Sequence, residues 1–114
     1  MRVTSAIWAA AFIRRCHSAA IYAVVRRRGA AEAGAIFVVL DRLDGTRTLF
    51  GPAPQAAMAD EAEVSDRRFT MVGPEASEPE AVEAKLRREM DFDPDLWILE
   101  IEDRQGRHFL DLVA

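Results

Sequence analysis

Five consecutive apolar residues, Ile36–Leu40, run into Leu43-Asp44-Gly45-Thr46 and then into a second stretch, Thr46–Phe50. An Asp-Gly pair between two such runs favours a type I′ hairpin, because both central residues of that turn need φ > 0. The pattern predicts a strand over Ala35–Asp41, a turn at Asp44-Gly45 and an antiparallel return over Thr46–Phe50. The first of these strands shows no polar alternation, so it belongs inside a sheet covered on each side. Those covers must come from a chain of 114 residues, one domain's worth and too short for two ordinary cores. We read 1–114 as a single domain.

Upstream, Thr4 or Ser5 is placed to cap a helix. Trp8, Phe12 and Cys16 follow at i, i+4 and i+8, with Ala9 and Ile13 beside them, which predicts a helix over Ser5–His17. Ala20–Arg26, rich in Val, Ile and Tyr, reads as a strand. Residues 51–66 shift to Pro, Ala, Asp and Glu without periodicity, the composition of a solvated, partly mobile loop with a helical turn around Gln55–Asp60. Arg68–Val72 reads as a strand. Ser77-Glu78-Pro79-Glu80 spells a capping box, and Val82, Leu86 and Met90 mark one face of the helix behind it, which ends by Asp91 or Phe92 ahead of Pro94. Leu96–Glu102 and Phe109–Val113 are strands separated by a turn at Arg104–Arg107. The expected fold is α+β: a mainly antiparallel sheet of five to six strands with two helices, in the order α-β-β-β-β-α-β-β.

One cysteine and two histidines exclude an intrachain disulfide and fall short of a zinc finger or ribbon. The apolar stretch Ala6–Ile13 is followed by Arg14-Arg15 where a signal peptide needs small neutral residues. Neither it nor Ala19–Val25 approaches the roughly 18 residues of a membrane span. The expected setting is soluble and cytoplasmic. The net charge of −4 hides a division: residues 1–50 hold eight arginines against three acids, and residues 51–114 hold seven basic residues against sixteen acids. Such asymmetry can offer a partner a charged face, or it can cancel in space.

Candidate chemistry is sparse. Neighbours on a helix point about 100° apart, so Cys16-His17 is a poor nucleophile–base pair, and the Trp8–Phe12 stripe places Cys16 in the core. Asp91, Asp93 and Asp95, with Glu102 at the twelfth position, imitate a calcium loop. Leu96 stands where that loop needs Gly, however, and residues 96–102 have the composition of a strand. The expectation is a turn in which Asp93 caps and Pro94 opens a helical turn. His108 with Asp103 or Asp111 is a conceivable acid–base or metal group without the spacing that would recommend it. No nucleophile elbow, P-loop or dinucleotide fingerprint occurs. No catalytic, cofactor-binding or metal-binding residue is therefore assigned.

Arg14, Arg15, Arg26, Arg27 and Arg28 form the one candidate binding patch, with Tyr22 or Phe37 available to stack on bases if the ligand were nucleic acid. Strand alternation would send Arg26 and Arg28 to one face and Arg27 to the other, where they could pair with acids of the second half. A sequence pI near 5.2 weighs against strong non-specific nucleic-acid binding.

Thr4-Ser5-Ala6-Ile7-Trp8 through Arg14-Arg15-Cys16 resembles the start of a small alphaproteobacterial family of uncharacterised proteins, domain of unknown function 1491. Gly34-Ala35-Ile36-Phe37-Val38, running into Asp41-Arg42-Leu43-Asp44-Gly45, is similar to its hairpin. Phe92-Asp93-Pro94-Asp95-Leu96-Trp97, then Glu100-x-Glu102-Asp103-Arg104, is similar to its carboxyl-terminal signature. Only the stretch at about 51–66 stays unmatched. The resemblance implies a bacterial, stand-alone protein and carries no activity, cofactor or catalytic residue. The function expected is a non-enzymatic binding or protein-interaction module, self-association through a strand edge or an exposed apolar face included. A nucleic-acid-binding protein using Arg26–Arg28 is the alternative, and a small enzyme using His108 with nearby carboxylates comes third.

Overall fold

The computed structural model describes residues 3–54 and 67–113. Its elements are α1 (Ser5–Ser18), β1 (Tyr22–Arg27), β2 (Ile36–Asp41), β3 (Arg47–Pro52), β4 (Arg68–Met71), α2 (Pro79–Phe92), β5 (Trp97–Glu102) and β6 (Asp111–Leu112). The strands form one mixed sheet in the order β1-β5-β2-β3-β4-β6. Three pairings are antiparallel, and β2–β5 and β4–β6 are parallel. The α+β class and the element order are as expected. A parallel β2–β5 pair needs a long crossover, and α2 lies within it.

β2 is buried along Ile36–Leu40 because a helix lies over each face. On one side Ala9, Phe12 and Cys16 of α1 pack with Ile36, Val38 and Leu40 of β2 and Leu99 and Ile101 of β5. On the other, Val82 and Leu86 of α2 pack with Phe37 and Val39 of β2, Leu49 of β3 and Ile98 of β5. Thr4 caps α1, its Oγ1 accepting the Ile7 N–H at 3.2 Å. The first-turn amides of Ser5 and Ala6 donate to the carbonyls of Glu32 and Ala31. This seats α1 on the loop between β1 and β2.

Two local expectations need correction. The hairpin does not use a type I′ turn at Asp44-Gly45: positive φ falls on Leu43 (60°) and Gly45 (91°), and the Arg42 N–H closes the loop on the Thr46 carbonyl. Carboxylates impose this path, Asp41 accepting the Leu43 N–H and Asp44 accepting the Thr46 N–H and hydroxyl. The capping box does not form either. Ser77 is bridged to Arg47 and its hydroxyl donates to Pro74, so α2 starts one residue later, with Glu78 as an N-cap that makes no side-chain bond and Pro79 at the first helical position. The turn expected after α2 does form, at Pro94-Asp95. Asp93 ends α2, and its carboxylate accepts the Asp95 N–H.

Gly51 and Pro52 extend β3. The rest of the loop expected at 51–66, with the helical turn around Gln55–Asp60, lies outside the described residues from position 55 onward.

Candidate functional site

The five arginines of the expected patch are separated. A bulge between Val25 and Arg27 breaks the alternation of β1. Arg26 is thereby aimed at Glu83 of α2, with which it pairs, and it also pairs with Glu100 of β5 at 3.4 Å. Arg27 donates to the Leu96 carbonyl at 2.7 Å. Arg28 lies 5.1 Å over Trp97, a residue of the α1-side core, so Arg26 and Arg28 do not share a face as alternation would require. Arg15 sits 4.6 Å over Phe109. Arg14 is exposed on α1.

The titratable candidates are dispersed as well. Cys16 is fully buried, and burial, slightly offset by the Arg15 charge, pushes its thiol up to about 11. His17 instead shares a hydrogen bond with the Ala23 carbonyl, at 3.0 Å from Nε2. The His108 ring packs on Phe50, and its Nδ1 accepts the Leu110 N–H at 3.0 Å. Burial and the Arg42 charge hold its pKa below the usual 6.5. Asp103 is committed to Arg107, whose backbone and guanidinium donate to it, and those bonds lower its pKa. Asp111 pairs with Arg68 at 3.6 Å.

Of the imitation calcium loop, Glu102 lies apart on β5, opposite Asp41 of β2. Asp41, Glu100 and Glu102 are the one described set of acids whose oxygens come within 4.8 Å of one another. Arg47 at 3.6 Å from Asp41 and Arg26 at 3.4 Å from Glu100 supply positive charge there, and Arg47 continues to Glu83 at 3.6 Å. The set is part of an ion-pair network tying α2 to the sheet.

A cleft of about 560 Å³ opens at the carboxyl end of α2. Its floor is Ala35 and Phe37, and β3 contributes Gly51 and Pro52. Gly51 is needed because a Cβ there would stand 2.8 Å from the Phe37 ring. Val72, Glu89, Phe92 and Asp93 complete the lining. Phe92 is 88% exposed, the most open of the large apolar side chains. It stands off the Val82–Leu86 face that α2 buries, so the helix leaves an aromatic ring in water beside an apolar floor. A sequence signal existed: an aromatic residue off the core stripe, between Asp91 and Asp93.

Residues 3–111 match the family described as "Protein of unknown function (DUF1491)". The chain belongs to the DUF1491 family. A crystal structure of a DUF1491 protein from Caulobacter crescentus is 35% identical, with a TM-score of 0.80 and full coverage of both chains. A solution structure of a protein from Agrobacterium tumefaciens is 40% identical, with a TM-score of 0.84, covering all of this chain and 97% of the other. An NMR structure of a Caulobacter DUF1491 protein is 37% identical, with a TM-score of 0.78, over 100% and 99% of the two chains. No curated protein matches.

This DUF1491 protein also has a smaller cleft, about 280 Å³, whose lining includes Trp8, Phe12, Arg15, Phe109 and Asp111. Its aromatic faces are largely occupied: Trp8 stacks on Phe12 and leans on Phe69, and Arg15 covers Phe109. Phe92, in contrast, has an open ring. No helix among the described residues is long and apolar enough to cross a membrane.

Proposed function

We propose that this DUF1491 protein is a small cytoplasmic interaction module that docks a protein partner, rather than transforming a substrate, at the cleft beside Phe92. The observation that carries this reading is the 88% exposure of Phe92 beside an apolar floor. An exposed aromatic ring bordering an apolar floor offers a partner side chain a place to pack. Self-association through the outer edge of β1 is less well supported. That strand carries a bulge and two arginines, devices that discourage edge-to-edge pairing. The nucleic-acid reading is weakened by the intramolecular partners of Arg26, Arg27 and Arg28.

The test is a photo-crosslinking amino acid placed at Phe92, with Arg88, exposed on the same helix and not among the cleft residues, as the control position in an alphaproteobacterial host. A discrete protein adduct at 92 that is missing at 88 is expected. The same adducts at both positions, or none at 92, would refute the reading.

A further inference from the structure

The cleft has a charge as well as a shape. Its two charged lining residues, Glu89 and Asp93, are both acidic. They lie at the carboxyl end of α2, where the helix dipole concentrates negative potential and a basic side chain is normally favoured. The last turn of α2 holds no basic residue, and Asp91 adds a third carboxylate. No ion pair joins Glu89, Asp91 or Asp93 to a cation among the described residues. Asp93 spends one oxygen on the Asp95 N–H. Lys85, the single lysine of the chain, extends along Gly73. An exposed aromatic ring, an apolar floor and uncompensated negative charge therefore meet at one place.

We infer that the partner surface is a linear segment with an apolar anchor flanked by Arg or Lys, the anchor against Phe37 and Phe92 and the cation at Glu89 and Asp93. The inference rests on the docking reading above and adds the chemistry of the occupant. A cation at this rim would meet two carboxylates and the helix end together, which favours a basic flank over a neutral one and opposes an acidic one.

A random-peptide library displayed on phage, panned on the full chain, tests this. Panning is repeated on Phe92→Ser and on the double variant Glu89→Lys with Asp93→Lys, and thermal unfolding confirms that these variants stay folded. The expected selection is apolar anchors next to Arg or Lys. A synthetic peptide of the selected sequence should bind about tenfold or more weakly to either variant and lose affinity as salt is added. Phe92-dependent peptides with neutral or acidic flanks, indifferent to the charge reversal, would overturn the basic partner and leave the docking reading standing. Peptides indifferent to Phe92 would overturn both. A concentration-dependent dimer in sedimentation, abolished by Phe92→Ser, would make a second copy the occupant and overturn the basic segment.

Discussion

Phe12 and Cys16 lie one helical turn apart on α1 and are 5% and 0% exposed. Emptying the Phe12 site leaves a hole between α1 and the sheet, so Phe12→Ala should cost about 3–5 kcal/mol. Denaturant titration checks this, and a loss below about 1 kcal/mol would mean that the site collapses or was never packed. His108 makes a different prediction. Its Nδ1 must be unprotonated to accept the Leu110 N–H, and burial, then the Arg42 charge, depress its pKa below 6.5. The folded state thus binds this proton less readily than the unfolded chain. The resulting stability is complete above the unfolded pKa and is lost as pH falls through the folded one. Denaturation at pH values on either side of 6.5 should show a larger acid loss for the wild type than for His108→Gln; equal losses would refute it. Cys16 was readable from its i, i+4, i+8 spacing, because one stripe shows which residues face inward. The environment of His108 was not, since Phe50 and Arg42 come from strand and turn positions more than fifty residues away.

At the scale of elements, the helices and strands were legible wherever periodicity ran uninterrupted, and the errors gathered at their ends. Glu78 caps α2 without a side-chain bond, because Ser77, the better cap by composition, is held in a bridge to Arg47. A competing tertiary contact overrode a local motif. Glu78→Asp should therefore supply the missing bond and raise stability by about 1 kcal/mol, seen as a higher midpoint with an unchanged denaturant slope. No gain would place the Glu78 backbone outside capping geometry. The loop between β1 and β2 illustrates a constraint that no periodicity reveals. A Cβ on Gly29 would stand 2.2 Å from the Asp95 carbonyl oxygen, and the neighbouring Ala30 takes that same oxygen through its N–H at 2.9 Å while its carbonyl accepts the Trp97 indole N–H at 2.8 Å. Gly29→Ala should push this loop off the start of β5 and cost about 1–3 kcal/mol or more. A near-neutral effect in thermal unfolding would show that the two loops separate freely. The cleft beside Phe92 was hidden for a related reason. Phe92 could be recognised as off the stripe, but its floor comes from β2 and β3, and strand order does not follow chain order.

Among the described residues, ion pairs join the basic half of the chain to the acidic half. Arg26 and Arg47 from the basic half converge on Glu83 from the acidic half, Arg26 also reaches Glu100, and Arg42 approaches Glu75 at 3.5 Å. The Arg26 hydrogen bond, more than the added charges of Arg26 and Arg47, holds the Glu83 pKa below the usual carboxylate range. The fold consumes much of the asymmetry that made Arg26–Arg28 look available. These residues should behave as fasteners. Half-exposed ion pairs contribute about 0–1 kcal/mol each, and a guanidinium over an aromatic ring about 0.5–1 kcal/mol. Replacing Arg26, Arg27 and Arg28 together by Ala should lower stability by roughly 2 kcal/mol, with part of that loss falling on the attachment of α2 to the sheet. The same variant separates the two readings of the arginines. If they are fasteners, the wild type gives no gel shift with single- or double-stranded nucleic acid even at low salt, where phosphate contacts are strongest, and the variant differs only in its unfolding curve. A low-salt shift by the wild type that the variant abolishes at unchanged stability would return the guanidiniums to solvent and make phosphate their partner.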